Sequence, residues 1–267
     1  MEARPQRPVD AALLAAVEAI AEQAGAVILR HYNETVAART KADASPVTAA
    51  DEAAEAVIVP ALESLTPDVP VVSEEAVAAG HTPAVHGAAN PSGCFWLVDP
   101  LDGTKEFLSR NGEFTVNIAL IEKDRPVLGV VHIPALATTY GGIVGATAHL
   151  RRGDSVREIT ARKRPSGGAI VLSSRSHGDM EAIDAFLANE PVGGHRVAGS
   201  ALKFCLVAEG IADLYPRLGR TMEWDTAAGH AVVLAAGGCV TTLDGAELGY
   251  GKPGFDNPHF VARGRVD

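Results

Sequence analysis

Apolar residues recur near the N-terminus at Leu13, Val17, Ile20, Ala24, Val27 and Ile28. That is the 3.6-residue rhythm of a helix with one buried face, and Asp10 stands where an N-cap belongs. A second helical stretch follows Thr48, with Ala54, Val57, Ile58, Ala61, Leu62 and Leu65 on its inner face. Pro60 is expected to kink or end it, because proline donates no amide hydrogen and crowds the preceding turn. Residues 69–72 and 95–98 read as short strands, the second running into Asp99. Between them, residues 76–93 are rich in Ala, Gly and Pro and read as a surface loop without chemistry. From Thr115 the pattern turns to β, over 115–121, 127–133 and 138–144, with turn residues between. The first half thus predicts helices on an antiparallel sheet.

Residues 151–168 are polar and basic, with Arg151, Arg152, Arg157, Arg162, Lys163 and Arg164. We expect a solvated connection there and a domain seam near it: residues 1–160 as an α+β unit, 161–267 as an α/β unit. Beyond it, strand and helix signals alternate. Strands are expected at 169–172, 213–215 and 239–242, and helices near 180–188, over 200–209 and from Thr226.

The 267 residues are 47% hydrophobic, enough for a substantial core. A formal net charge of −10 excludes a nucleic-acid polymer as partner, since phosphates would be repelled. The same charge poses a problem for any small anionic substrate, which bound cations would solve. Cys94, Cys205 and Cys239 are odd in number and far apart. They make neither a disulfide framework nor a zinc pattern, and fit a reducing compartment, with the cytoplasm as the expected location. The first residues lack the apolar core of a signal peptide. No uninterrupted apolar run approaches the length of a transmembrane segment. The oligomeric state is left open, a homodimer included.

Three acidic segments carry the candidate chemistry: Val72-Ser73-Glu74-Glu75, Trp96-Leu97-Val98-Asp99-Pro100-Leu101-Asp102-Gly103-Thr104, and Glu223-Trp224-Asp225-Thr226. In the second, a strand delivers two carboxylates three residues apart on a turn that Pro100 stiffens and Gly103 tightens. If a helix starts there, the amides of Gly103 and Thr104 suit a phosphate. The same residues would also make a plain β-turn. Asp225 would serve equally as a helix N-cap, and Glu74 with Glu75 as a solvated strand end. Taken as a set, the segments read as buried strands emerging at one edge. Two carboxylates about 4 Å apart repel by about 4 kcal/mol at an effective dielectric near 20. Such a cluster suits hard divalent cations, and oxygen donors without His or Cys point to Mg²⁺ rather than zinc.

The run Asp99 to Thr104, together with Trp224-Asp225, resembles the two signatures of the inositol-monophosphatase-like phosphatases. The likeness extends to Lys41 through Asp51, Asp99 through Phe107, Asn111 through Ile121 and Leu202 through Gly210. Over these stretches the chain is similar to the bacterial 3′(2′),5′-bisphosphate nucleotidases of the CysQ type. It is weakest in the first nine residues, after Glu75 and around the seam.

The resemblance implies a layered αβαβα sandwich of the inositol-monophosphatase/fructose-bisphosphatase type, with the site between the halves. It implies two or three Mg²⁺ held by Glu74, Asp99, Asp102 and Asp225 and by the main-chain carbonyl of Leu101. Glu75 is left a supporting place. Asp51 and Thr104 match the pair that helps activate water, although Thr48 and Asp51 alone would also serve as a helix-start pair. Direct attack of activated water on phosphorus is expected, with no Cys or Ser nucleophile. The resemblance also implies inhibition by Li⁺, and relatives are sometimes placed at the cytoplasmic face of the inner membrane.

For the substrate, Gly199-Ser200 at a helix start offers free amides to an anion. Lys203 sits one turn in, and Arg217 follows a strand. Ordinary surface charge would account for them. The resemblance instead assigns Ser200, Lys203 and Arg217 to the phosphate that is not cleaved, and sets His177 near the nucleotide. The implied reaction is adenosine 3′,5′-bisphosphate to AMP and phosphate, clearing a by-product of sulfate assimilation. The rival readings are an inositol monophosphatase or fructose-1,6-bisphosphatase of the same fold, and a non-catalytic, metal-dependent sensor of a phosphorylated metabolite.

Overall fold

The computed structural model describes residues 8–33, 39–40, 46–47, 49–174, 180–188 and 190–265. Thr48 and His177, named above, lie outside them, as do residues 41–45 of the quoted likeness.

Helix α1 (Ala11–Tyr32) begins where Asp10 Oδ1 accepts from the Leu13 amide at 2.8 Å, an N-cap as the sequence predicts. Strands β1 (Arg39–Thr40) and β2 (Pro46–Val47) form a short antiparallel pair. Helix α2 (Ala49–Leu65) continues through Pro60 rather than ending there. Its buried face, with Ala50, Ala54, Ile58 and Leu62, packs on α1, and that apolar contact outweighs one lost backbone bond.

Strand β3 (Val71–Ser73) leads into a five-residue helix α3 (Glu74–Ala78), and a 3₁₀ turn follows at Gly87–Ala89. The segment read as loop therefore has local structure at both places. Next come β4 (Cys94–Asp102), α4 (Thr104–Leu108), β5 (Thr115–Glu122), β6 (Arg125–Ile133), β7 (Thr138–Ile143), β8 (Thr147–Arg152) and β9 (Ser155–Glu158). These make a seven-stranded sheet in the order β3 to β9, antiparallel except for the parallel β3–β4 pair.

The second half supplies β10 (Ala169–Ser174), α5 (Met180–Leu187), β11 (Val192–Ala198), α6 (Leu202–Ala208), β12 (Leu214–Arg217), α7 (Ala227–Ala235), β13 (Cys239–Thr242) and β14 (Phe260–Arg263). A five-stranded sheet runs in the order β11-β10-β12-β14-β13. The pattern-based reading missed β11, whose Val192-Gly193-Gly194-His195 run carries a weak strand signal, and β14.

The large sheet is buried on both faces, and residue parity along β4 assigns the sides. Trp96 and Val98 join the apolar cluster of α1 and α2, whereas Phe95 and Leu97 join the one that includes Phe204, Val207, Ala228 and Val232. Helices α6 and α7 therefore lie between the sheets, and Ile183 and Leu187 of α5 cover the far face of the smaller one. The order is αβαβα. Close approach of α7 to the large sheet depends on Gly129 of β6, where a Cβ would lie 2.6 Å from Ala231 Cβ. That contact fixes α7 against the sheet and presents the residues just before it to the end of β4.

The basic segment is more than a solvated connection, because its arginines are paired. Arg151 holds Glu18 at 2.6 Å, Arg157 meets Glu209, Arg162 grips Asp213 through two bonds of 2.7 Å, and Arg164 meets Glu190. The first part of the segment is sheet, with β8 and β9 extending the meander. Helix α1 is the one described helix long and apolar enough to cross a membrane. Leu13, Leu14, Val17, Ala21, Ala24 and Ile28 are nevertheless buried in the protein, as in a core helix. All three cysteines are free.

Candidate metal and phosphate site

Strands β3 and β4 run parallel, so both deliver their following residues to the same edge of the sheet. Glu74 comes directly after β3 as the first residue of α3. Asp99 lies two residues beyond Leu97 on the face toward α6 and α7, and is 1% exposed. Asp225 comes from the opposite half, in the turn before α7. The cap of α7 is Thr226, so Asp225 is not the N-cap. Its Oδ2 instead accepts from the Met222 amide at 2.8 Å, which fixes the carboxylate ahead of the helix.

These three carboxylates converge. One oxygen each from Glu74, Asp99 and Asp225 lie within 4.8 Å of one another. Burial, and then the charges of Glu74, Asp102, Asp225 and Asp51, push the Asp99 carboxyl well above the usual carboxylate range. Burial, then Asp102 and Glu74, do the same to Asp225. Three all-oxygen donors crowded in this way fit a hard divalent cation. The surroundings agree: Ser73 Oγ, Asn117 Oδ1 and Trp224 Nε1 are buried without a hydrogen-bond partner. Ser73 and Trp224 adjoin cluster carboxylates in sequence, and Asn117 faces Asp99 in the β4–β5 register.

Asp102 stands beside this trio and is held in a different way. The β4–β5 register shifts between Asp99 and Asp102, where Pro100 and Leu101 bulge from the ladder and the Leu101 amide turns back onto Asp99 Oδ1 at 3.1 Å. Asp102 Oδ2 accepts from the Ala201 amide at 2.7 Å, with Thr115 Oγ1 and Asn117 Nδ2 each at 3.4 Å. Ser200 Oγ donates to the Asp102 carbonyl at 2.9 Å. Gly103 follows with φ of +89°, the left-handed turn that swings the chain into α4. A Cβ there would collide with Ser200 Oγ. Thr104 opens α4, and Asp51 in the first turn of α2 is 2% exposed and close enough to raise Asp99.

The residues expected at a second phosphate are arranged less simply. Of the Gly199 and Ser200 amides expected to face an anion, that of Gly199 is already accepted by Glu113 Oε2 at 2.7 Å, and the next amide along, of Ala201, is accepted by Asp102 Oδ2 at 2.7 Å. Lys203 is 3% exposed, and its ammonium donates to Ser200 O at 2.7 Å and Ala198 O at 3.3 Å. Arg217 ends β12, half-buried, donating to Arg220 O at 3.0 Å, and its charge reaches Asp225.

Sequence reasoning gave no role to Glu113, Thr115, Asn117 or Glu223. Asn117 was detectable as a polar residue inside the buried run of β5. Glu223 is wholly buried, and its carboxylate accepts from the Gly251 and Lys252 amides at 2.6 and 2.9 Å and pairs with Lys252 Nζ. It thereby ties the 249–253 loop to the turn that carries Asp225.

With this geometry in place, comparison with known proteins is informative. The model of the inositol monophosphatase family matches residues 9–263. The chain is 47% identical over 250 residues to the 3′(2′),5′-bisphosphate nucleotidase CysQ of Escherichia coli (strain K12), covering 90% of this chain and 95% of that one. It is 39% identical to the CysQ of Buchnera aphidicola subsp. Acyrthosiphon pisum (strain APS), over 91% of this chain and 90% of the relative. The crystal structure of CysQ from Bacteroides thetaiotaomicron superposes with a TM-score of 0.78 at 37% identity, covering 96% of this chain and 98% of that one.

Proposed function

The chain belongs to the inositol monophosphatase family, and from that premise we propose that it is a Mg²⁺-dependent phosphatase that hydrolyses adenosine 3′,5′-bisphosphate to AMP and phosphate. The observation that carries the reading is the convergence of Glu74, Asp99 and Asp225 from two halves of the chain onto one point. The two nucleotidases named above supply the substrate class.

Glu74, Asp99, Asp102 and Asp225, with the Leu101 carbonyl, would hold two or three Mg²⁺ ions. When bound, Mg²⁺ supplies charge neutralisation for the phosphoryl group and acidifies water. It also answers the problem posed by a net charge of −10 and an anionic substrate. Asp51, the buried carboxylate, would take the proton of the attacking water, and the Thr104 hydroxyl would help orient that water. The amides of Gly103 and Thr104 face the phosphate to be cleaved. Arg217 and Ser200 meet the phosphate that stays, with Lys203 behind them. His177, outside the described residues, is kept as the proposed nucleotide contact. Residues 1–160 then carry the groups that act on water and most of the metal carboxylates. Residues 161–267 carry Asp225 and the nucleotide contacts.

The role would be removal of this nucleotide as a by-product of sulfate assimilation, at a cytoplasmic location. The test is phosphate release from adenosine 3′,5′-bisphosphate with Mg²⁺ and with excess chelator. Release that depends on Mg²⁺ supports the reading. Full release in strong chelator, or none in either condition, overturns it.

A further inference from the structure

Asp102 is held from across the molecule by the turn at 199–201, through the Ala201 amide on its carboxylate and the Ser200 hydroxyl on its carbonyl. Ser200 must adopt φ of +48° to make both contacts, a left-handed conformation that residues with side chains rarely take unless neighbours impose it. The neighbour that can impose it is Lys203. Its ammonium donates to the carbonyls of Ala198 and Ser200, so it clamps the backbone on both sides of the turn.

The charge surroundings point the same way. Burial lowers the Lys203 ammonium to about 8; against it the carboxylates of Asp102, Glu106 and Glu113 favour the charged form, and Arg217 opposes it. Glu113 accepts the Gly199 amide, and Glu106 lies so close to Gly199 that a Cβ there would fall 2.6 Å from its Cγ. The lysine is thus a buried counter-charge among acids that surround the turn. At 3% exposure, and with two of its three donors on those carbonyls, it offers little to a phosphate arriving from solvent.

We propose that Lys203 is a positioning residue, which fixes the 199–201 turn and through it sets the Asp102 carboxylate against Glu74, Asp99 and Asp225. This rests on the reading of Asp102 as part of the metal site. It means that Lys203 governs metal affinity, and with it the turnover of every phosphate ester, rather than the choice among esters.

The test compares wild type with Lys203→Met, which keeps the apolar stem and removes the charge. Calorimetric titration of Mg²⁺ reads the site without substrate, and kcat/KM is measured on adenosine 3′,5′-bisphosphate and inositol 1-phosphate. Lys203→Met is expected to weaken Mg²⁺ binding by about 10- to 100-fold, as loss of a group supporting a metal ligand does. At fixed, sub-saturating Mg²⁺ both substrates should lose activity by the same factor, and added Mg²⁺ should restore part of it for both. Unchanged Mg²⁺ binding with a loss confined to the bisphosphate would overturn the proposal and make Lys203 a contact to the second phosphate. Ser200→Gly keeps the lysine, tolerates the left-handed backbone and deletes only the hydroxyl. It should weaken Mg²⁺ binding in the same direction, and it carries the test if Lys203→Met does not fold. Unchanged Mg²⁺ binding in Ser200→Gly then overturns the proposal. A wild type that prefers another ester removes the nucleotidase reading alone. A wild type that binds no Mg²⁺ removes both.

Discussion

The Ala201 amide donates to Asp102 Oδ2 at 2.7 Å, joining residues 99 positions apart in the chain. A charge-assisted bond of this kind does two things. It satisfies an amide at the start of α6, and it aims the carboxylate at the cluster. The candidate site therefore exists only when both halves are docked, because Asp225 and the turn that holds Asp102 come from one half and the other carboxylates from the other.

Asp99→Asn and Asp225→Asn are expected to lower kcat by at least about 100-fold at saturating Mg²⁺, since a direct ligand matters more than the roughly 10- to 100-fold of a supporting group. The metal-free variants should be slightly more stable than wild type, because each removes one charge from a crowded acidic site. Steady-state kinetics and metal-free denaturation check the two halves of this expectation. Near-normal kcat in either variant would contradict it.

Gly103→Ala should cost about 1–3 kcal/mol of stability, the usual range for a residue forced into a left-handed backbone. Its Cβ would also collide with Ser200 Oγ, so the Gly103→Ala/Ser200→Ala double variant should recover part of the loss. Denaturant unfolding of the single and double variants measures the coupling. Strict additivity would mean that the collision is relieved without cost.

Arg217→Ala should reduce kcat/KM for adenosine 3′,5′-bisphosphate by roughly 10- to 150-fold, the equivalent of one charge-assisted hydrogen bond. Inositol 1-phosphate has no second phosphate to lose and should be hydrolysed at close to the wild-type rate. Equal losses on both esters would place Arg217 with the metal site through Asp225.

Stability should fall on mild acidification because of two buried histidines. Burial and the Arg151 charge lower His132 to about 4, and burial lowers His230 to about 3. A folded-state pKa below the unfolded value near 6.5 means that the unfolded chain binds more protons, so stability is full above pH 6.5 and is lost as pH falls toward the folded value. Each histidine then contributes about 2 kcal/mol of loss between pH 6.5 and 5. His132 lies in a charged setting, with Thr139 on its Nδ1 and Glu22, Glu18, His149 and Arg151 in the same network. The difference between wild type and His132→Gln isolates its share. The thermal midpoint of the variant should fall less steeply over that window, and parallel slopes would contradict the assignment.

The sequence carried the helices and most strands because their patterns are local. Leu13 to Ile28 repeat every turn, and the β5 and β6 runs alternate between two buried faces. The acidic turns were equally legible, since carboxylates that directly follow apolar strands are expensive unless something binds them. Convergence rests on the three segments taken as a set and on the resemblance, not on any local pattern. Nothing local says that Asp225 meets Glu74, or that α7 docks on Gly129. The amide of Gly199 reads as free because its acceptor, Glu113, is 86 positions away in sequence. The resemblance assigns Lys203 to the second phosphate, and its burial against the Ala198 and Ser200 carbonyls is not legible because backbone carbonyls have no sequence signature. Strand β11 was missed because Gly193 and Gly194 lack the side chains that mark a strand, and its neighbour β10 supplies the order instead.

The most direct test of the central claim is the ranking of kcat/KM for phosphate release at saturating Mg²⁺ from adenosine 3′,5′-bisphosphate, inositol 1-phosphate and fructose 1,6-bisphosphate. The bisphosphate nucleotide is expected to lead by about tenfold or more, the equivalent of one well-placed contact to its second phosphate. An inositol phosphate or fructose 1,6-bisphosphate turned over as efficiently or better would contradict the nucleotidase reading while leaving the metal site in place.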